Sequence, residues 1–226
     1  MVSKAIRNQA LGIGFAILFI GALIGQSFAG LAVYNDDQTL HGSSPVGYWD
    51  FVTSSNFVVD VAENWQSEYL QFFLFILATV WLVQRGSPES KKPGDEGLDS
   101  DENQMVGRFA KPNSPKWAKD NGWRRHVYSN SLLLVMGTVF LLSWWLQSVA
   151  GTVVFNADQV SHGQPEVGWI EYATSADFWD RTLQNWQSEF LAVGSMVSLS
   201  IYLRQRGSAE SKPVGTPHDE SATEGE

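Results

Sequence analysis

"QALGIGFAILFIGALIGQSFAGLAV", residues 9–33, is 25 residues long and carries no charge; "SLLLVMGTVFLLSWWLQSVAGTVV", residues 131–154, is a second uncharged run of 24. About 20 consecutive apolar residues carry a helix across the hydrocarbon core of a bilayer. Each run is followed, some 35 residues later, by a shorter apolar one, residues 69–83 and 190–203. The mean hydropathy of the chain is only −0.13 because polar segments separate the four runs.

Shifted by 121 residues, the sequence overlays itself without a gap over roughly 67 positions. Gln26, Ser27, Ala29 and Gly30 fall on Gln147, Ser148, Ala150 and Gly151. Asn35, Asp37 and Gln38 fall on Asn156, Asp158 and Gln159, and His41-Gly42 falls on His162-Gly163. "NWQSE" occurs at residues 64–68 and 185–189, and "QRGS" at 84–87 and 205–208, with "ESK" after each. A period this long reads as two copies of a helical hairpin. The expected fold is all-α and integral to a membrane: four transmembrane helices as two tandem parallel-repeat hairpins. The first hairpin covers 1–87 and the second 123–207. Residues 88–122 and 208–226 are rich in Gly, Pro, Ser and charge, so they are expected to be a disordered cytoplasmic linker and a disordered acidic tail.

Charge supplies the sidedness. Of 15 Lys and Arg, 14 lie outside the two inter-helix loops 34–68 and 155–189; the exception is Arg181. Those loops hold 12 acids. Basic residues favour the cytoplasmic side, which puts both termini and the linker inside and both loops outside. "SFA" at residues 27–29 resembles a signal cleavage site, but "SVA" at 148–150 repeats it in mid-chain, so an uncleaved helix is expected. Two spans per copy give both copies the same orientation, with the pseudo-twofold axis along the membrane normal. A net charge of −9 argues against nucleic acid as a partner, and the chain has no cysteine to make disulfides or Cys-based metal sites.

The shorter runs place Glu68 and Glu189 at the mouth of an apolar segment. Sixteen residues separate Glu68 from Arg85, and 14 separate Glu189 from Arg204. At 1.5 Å per residue these are about 24 and 21 Å, short of a hydrocarbon slab about 30 Å thick. An ionisable group inside the slab needs a partner. Counting inward from Arg7 puts Gln26 at the depth of Glu68, and Gln147 pairs likewise with Glu189. Two polar clasps within the hairpins are therefore expected. Asn64 and Asn185 share a helix face with the glutamates. Trp65 and Trp186 are expected to anchor at the outer interface, and Arg85 and Arg206 at the inner one beside lipid phosphates. The second helices should start two to three turns before NWQSE, capped by Asn56 and Asp177.

Other features are weaker. His41 and His162, with Asp37 and Asp158 nearby, suit turn capping better than a metal site. "YWDFVTS" and "GWIEYATS" read as short helices on the outer interface or as lids over the hairpin. Gly21, Gly25 and Ala29 form a small-residue stripe that permits close helix approach. The second helix is bulky at Phe72, Phe73 and Phe75, whereas in the other copy the fourth is small at Gly194, Ser195, Ser198 and Ser200 and the third bulky at Trp144 and Trp145. This exchange of bulk between partners suggests direct packing within each hairpin, or equally an oligomer contact. Neither a phosphate-binding Gly loop nor a zinc-protease, nucleophile-elbow or dinucleotide motif is present.

"YNDDQTLHG", "NWQSEYL" and "QRGSPESK", with the second copies "FNADQVSHG", "NWQSEFL" and "QRGSAESKPV", resemble the bacterial membrane family catalogued as domain of unknown function 6766. The resemblance implies a bacterial integral membrane protein and supplies no catalytic residue, cofactor or metal. The resulting expectation is a non-enzymatic scaffold or accessory protein of the bacterial plasma membrane. Its expected partners are lipids and a second copy or another membrane protein. The alternative is a small transporter or channel using Glu68 and Glu189 as a proton or cation site.

Overall fold

A computed structural model of the chain describes residues 4–221; residues 222–226 of the acidic tail lie outside the described residues. The described residues form helices and irregular turns, with no strand: α1 (Lys4–Asn8), α2 (Ala10–Leu40), α3 (Tyr48–Val52), α4 (Ser55–Trp81), a 3-10 turn at Gly107–Phe109, α5 (Lys116–Lys119), α6 (Trp123–Ser129), α7 (Ser131–Ser161), α8 (Trp169–Ala173) and α9 (Ala176–Leu199). Two compact units result, one of Met1–Val61 with Leu146–Tyr172 and the other of Ala62–Trp145 with Ala173–Glu226.

In the first unit, α2 and the C-terminal part of α7 run past the apolar stretches. Each helix has 31 residues and continues seven beyond the expected start of the loop, through "YNDDQTL" and "FNADQVS". Nothing in those segments breaks a helix until His41-Gly42 and His162-Gly163. There the helices end in matching Schellman caps. Ser43 N–H donates to the Gln38 carbonyl (2.8 Å) and Gly42 N–H to that of Thr39 (3.1 Å), with Gly42 at φ 72°. Gln164 and Gly163 repeat this on Gln159 and Val160, with Gly163 at φ 69°. His41 and His162 each donate from Nδ1 to the carbonyl of Asp37 or Asp158 at 2.9 Å. The histidines close helices, and no group of three metal-ligating side chains occurs among the described residues.

One asparagine in each copy folds the loop back. Asn35 accepts from Val46 N–H (2.7 Å) and donates to its carbonyl (3.0 Å). Asn156 does the same with Val167, at 2.9 and 3.0 Å. The loop then delivers α3 and α8 onto the helix before them. Phe51 is 2% exposed and sits over Gly30, where an added Cβ would stand 2.9 Å from the ring. Tyr172, also 2% exposed, covers Gly151, where a Cβ would stand 2.6 Å from its Oη. Tyr48 Oη lies 3.0 Å from Ser27 Oγ, and Trp169 Nε1 donates to Ser148 Oγ at 2.9 Å. These helices pack on the chain's own glycine notches.

The second unit contains α4 from Ala62 onward, α9 and the N-terminal part of α7. Both long helices start where two to three extra turns require, but the caps lie two residues earlier than expected. Ser54 Oγ accepts from Phe57 N–H (3.4 Å), and Ser175 Oγ accepts from Phe178 N–H (3.2 Å). Asn56 and Asp177 are already in the first turn. There Asp177 complements the positive end of the helix dipole. The helices end at Trp81 and Leu199, short of the apolar runs. Helical apolar lengths are then about 20 Å for 69–81 and about 15 Å for 190–199. Two helices, α2 and α7, are long and apolar enough to cross a membrane.

Packing differs from expectation in two respects. A Cβ at Gly21 or Gly25 would meet nothing within 4 Å, so the small stripe of α2 brings no described helix close. Phe73 finds its small partner in α7, where a Cβ on Gly137 would lie 3.0 Å from its ring. Bulk meets void between the copies at this point, while within the second hairpin α7 and α9 pack directly through Trp144. Residues 88–122, expected to be disordered, take specific turns: Asp99 accepts from Asn103 and Gln104, Arg125 pairs with Asp101 at 3.3 Å, and Trp117 meets Trp123 edge-on.

Candidate functional site

The two NWQSE segments meet each other. Trp186 Nε1 donates to Gln66 Oε1 at 2.7 Å, and Gln66 is fully buried. Just outside, Glu63 accepts from Asn185 Nδ2 (3.2 Å) and from Arg181 Nη1 (3.4 Å). Arg181, the one basic residue of segments 34–68 and 155–189, also pairs with Asp177 at 3.5 Å on its own helix. Glu189 interacts with Ser67 and lies within electrostatic reach of Glu68. α4 and α9 touch at this level, and the segments that follow them meet again at Ser87 and Ser200, whose hydroxyls are 3.5 Å apart, so the two stretches of chain run in the same direction.

Periodicity explains the seam. Phe178, Thr182 and Trp186 recur at i, i+4 and i+8 and so share one face of α9. Phe178 and Thr182 are buried. That face meets Trp144 of α7, whose ring centroid is 5.9 Å from Trp186, 5.8 Å from Trp179 and 6.1 Å from Phe178. Phe140 stacks on Trp144 from the turn before. Polar atoms are trapped among these rings: Gln66 Nε2, Trp144 Nε1 and Thr182 Oγ1 are buried with no hydrogen bond. Each such atom costs about 1–3 kcal/mol unless a partner supplies the bond.

The expected site residues are thus partly brought together. Glu68 and Glu189 lie within electrostatic reach of each other, and Asn185 and Trp186 belong to the seam. Asn64, Trp65 and Glu68 are exposed. Trp186 turns inward to a hydrogen bond and four aromatic neighbours instead of anchoring at an interface. Both amide atoms of Gln147 are buried without a hydrogen bond. Glu63, Gln66 and Arg181 were missed. The available signal was Arg181, a lone cation opposite 12 acids.

The two QRGSxESK segments also fold alike. Gln84 N–H donates to Ser90 Oγ (2.7 Å) and Gln205 N–H to Ser211 Oγ (2.9 Å). Glu89 N–H donates to Ser87 Oγ and Glu210 N–H to Ser208 Oγ, both at 3.2 Å. Gly86 and Gly207 have φ of 87° and 84°, a region that favours glycine. Arg85 pairs with Asp219 of the tail at 3.0 Å, so its expected place among lipid phosphates is taken by the chain itself.

Glu89 meets Glu210 between these loops. Its carboxyl is held above the usual carboxylate range by burial first, then by the negative charge of Glu210 and a hydrogen bond to it. The folded chain therefore binds this proton more tightly than the unfolded one. The resulting penalty is absent below the unfolded value of 4.5 and grows as pH rises through the folded value. Glu89→Gln is expected to raise the melting midpoint at neutral pH and leave it unchanged near pH 4. Tryptophan-fluorescence melts at both pH values check this; an equal shift at both contradicts it.

No curated protein and no solved structure matches the chain. A family model does match, over residues 2–223, which is nearly its whole length. The chain belongs to the family described as Domain of unknown function (DUF6766).

Proposed function

We propose that the protein is a non-enzymatic scaffold or accessory protein of the bacterial plasma membrane, crossing it four times with both termini and the linker inside. The observation that carries this reading is the pairing of one NWQSE segment with the other through Trp186 and Gln66. A hydrogen bond from Trp186 to the buried Gln66, backed by the Glu63–Arg181 pair and an aromatic cluster, fastens α4 to α9. A rigid body suits the presentation of outer loops and cytoplasmic arms to partners.

Four crossings are supported by charge sorting and by the common direction of α4 and α9. A chain that leaves through α2 must return before α7 can leave again in the same sense. Short spans are accommodated by local thinning of the bilayer and by snorkelling of Arg85 and Arg204.

A second reading, a small transporter or channel, is favoured by one observation: Gln66 Nε2 and Thr182 Oγ1 are unsatisfied close to Glu68 and Glu189 along their helices. Proteoliposome flux separates the two. The scaffold reading expects proton and potassium flux no greater than in protein-free liposomes, both for the native chain and for Glu68→Gln/Glu189→Gln. Flux through the native chain that the double substitution abolishes would establish the transporter.

A further inference from the structure

The two QRGS loops share a shape and differ in what fills them. In the first loop, Asp219 places a carboxylate oxygen 3.0 Å from Arg85 Nη2. Ser221 Oγ accepts from Gly86 N–H at 3.0 Å, and a Cβ on Gly86 would collide with the carbonyl of His218. The tail is shaped for this position. Lys212, only 5% exposed, donates to the carbonyls of Pro217, His218 and Glu220 at 3.1, 3.2 and 2.8 Å. Arg204 holds the Thr216 carbonyl at 3.0 Å, and His218 Nδ1 donates to that of Ile201 at 3.0 Å. The chain thus fits an anionic oxygen and a second acceptor oxygen into the angle between an Arg and a glycine N–H.

At the second loop the same serine bonds and the same glycine conformation present Arg206 and Gly207. Arg206 is exposed, and a Cβ on Gly207 would meet nothing within 4 Å among the described residues. A cleft of about 530 Å³ adjoins them, lined by Ser208, Ser211, Lys212 and Pro213 among others. We propose that this loop is a seat for a phosphate group, and that the phosphate is the headgroup of an anionic phospholipid. A phosphodiester offers what Asp219 and Ser221 offer the first loop: a charged oxygen for the guanidinium and a further acceptor for the glycine N–H. The lipid source follows from position, since Arg206 lies seven residues beyond the end of α9, on the side assigned to the cytoplasmic leaflet. The inference rests on the membrane reading above.

Native mass spectrometry of the full-length protein released from nanodiscs of mixed phosphatidylglycerol and phosphatidylcholine tests it. One phosphatidylglycerol should be retained in preference to phosphatidylcholine by about fivefold, the value of one Arg near an anionic surface. Arg206→Ala should abolish the preference, and Arg206→Lys should keep most of it. Equal retention of the two lipids, unchanged preference in Arg206→Ala, or displacement of the lipid by millimolar inorganic phosphate overturns the proposal. Failure of the chain to enter nanodiscs at all would instead overturn the membrane reading. Circular dichroism of each variant guards against loss of fold.

Discussion

Truncating Tyr172 or Phe51 to Ala is expected to destabilise the protein more than any other single change to the outer loops. Both rings are 2% exposed and close over a glycine notch, so removal leaves a cavity that the short α3 or α8 cannot collapse to fill. Loss of a buried aromatic ring costs about 3–5 kcal/mol. For a chain of this size that lowers the melting midpoint by about 10 °C. The complementary change, Gly151→Leu, should cost about 1–3 kcal/mol by displacing Tyr172, since even a Cβ would stand 2.6 Å from its Oη. Combining Gly151→Leu with Tyr172→Ala should cost less than the sum of the two, because the ring that clashes is gone. Additive losses, measured by tryptophan-fluorescence melts, would mean that the ring does not occupy the notch.

The second large effect concerns the ion pair at the outer end of the seam. Glu63 has only 14% of its side chain exposed, whereas Arg181 has 42%. Removing the cation by Arg181→Leu leaves a nearly buried carboxylate without its guanidinium, while Glu63→Leu leaves a cation that still pairs with Asp177. Breaking a buried pair costs about 3–5 kcal/mol; discounted for the exposure of Arg181, about 2 kcal/mol is expected for Arg181→Leu. Glu63→Leu should cost less, and the double substitution should recover most of the loss. The measurement is the melting midpoint of all three variants in one detergent. Equal costs for the two single changes would mean that Glu63 is not desolvated.

Much of this arrangement is legible in the sequence. Uncharged runs of 25 and 24 residues announce α2 and α7. The 121-residue shift announces that whatever the first copy does locally the second repeats, as Asn35 and Asn156, Ser54 and Ser175, and the two His-Gly caps show. What is illegible is the partner of each face. Residue counts assign Gln26 the depth of Glu68 and Gln147 that of Glu189, but they do not reveal the interaction of Glu189 with Ser67. Depth follows from residue counts, but rotation about the helix axis is decided by which side chains interlock. Here that is Phe73 with Gly137 and Trp186 with Gln66. Helix ends were misjudged for a related reason. Polar sequence reads as loop, yet "YNDDQTL" contains no residue that stops a helix, so α2 continues until Gly42 supplies the left-handed cap.

Because the chain contains no cysteine, single cysteines introduced for labelling carry no background. Three positions test the arrangement on which everything else depends: Ser43 and Gln164 in the two outer loops, and Ser100 in the linker. Each is changed to Cys in turn and exposed in intact bacteria to a membrane-impermeant maleimide. With four crossings, the first two label in intact cells, and Ser100→Cys labels only after the membrane is opened. Labelling of Ser100→Cys in intact cells, or of all three only after lysis, would contradict the account.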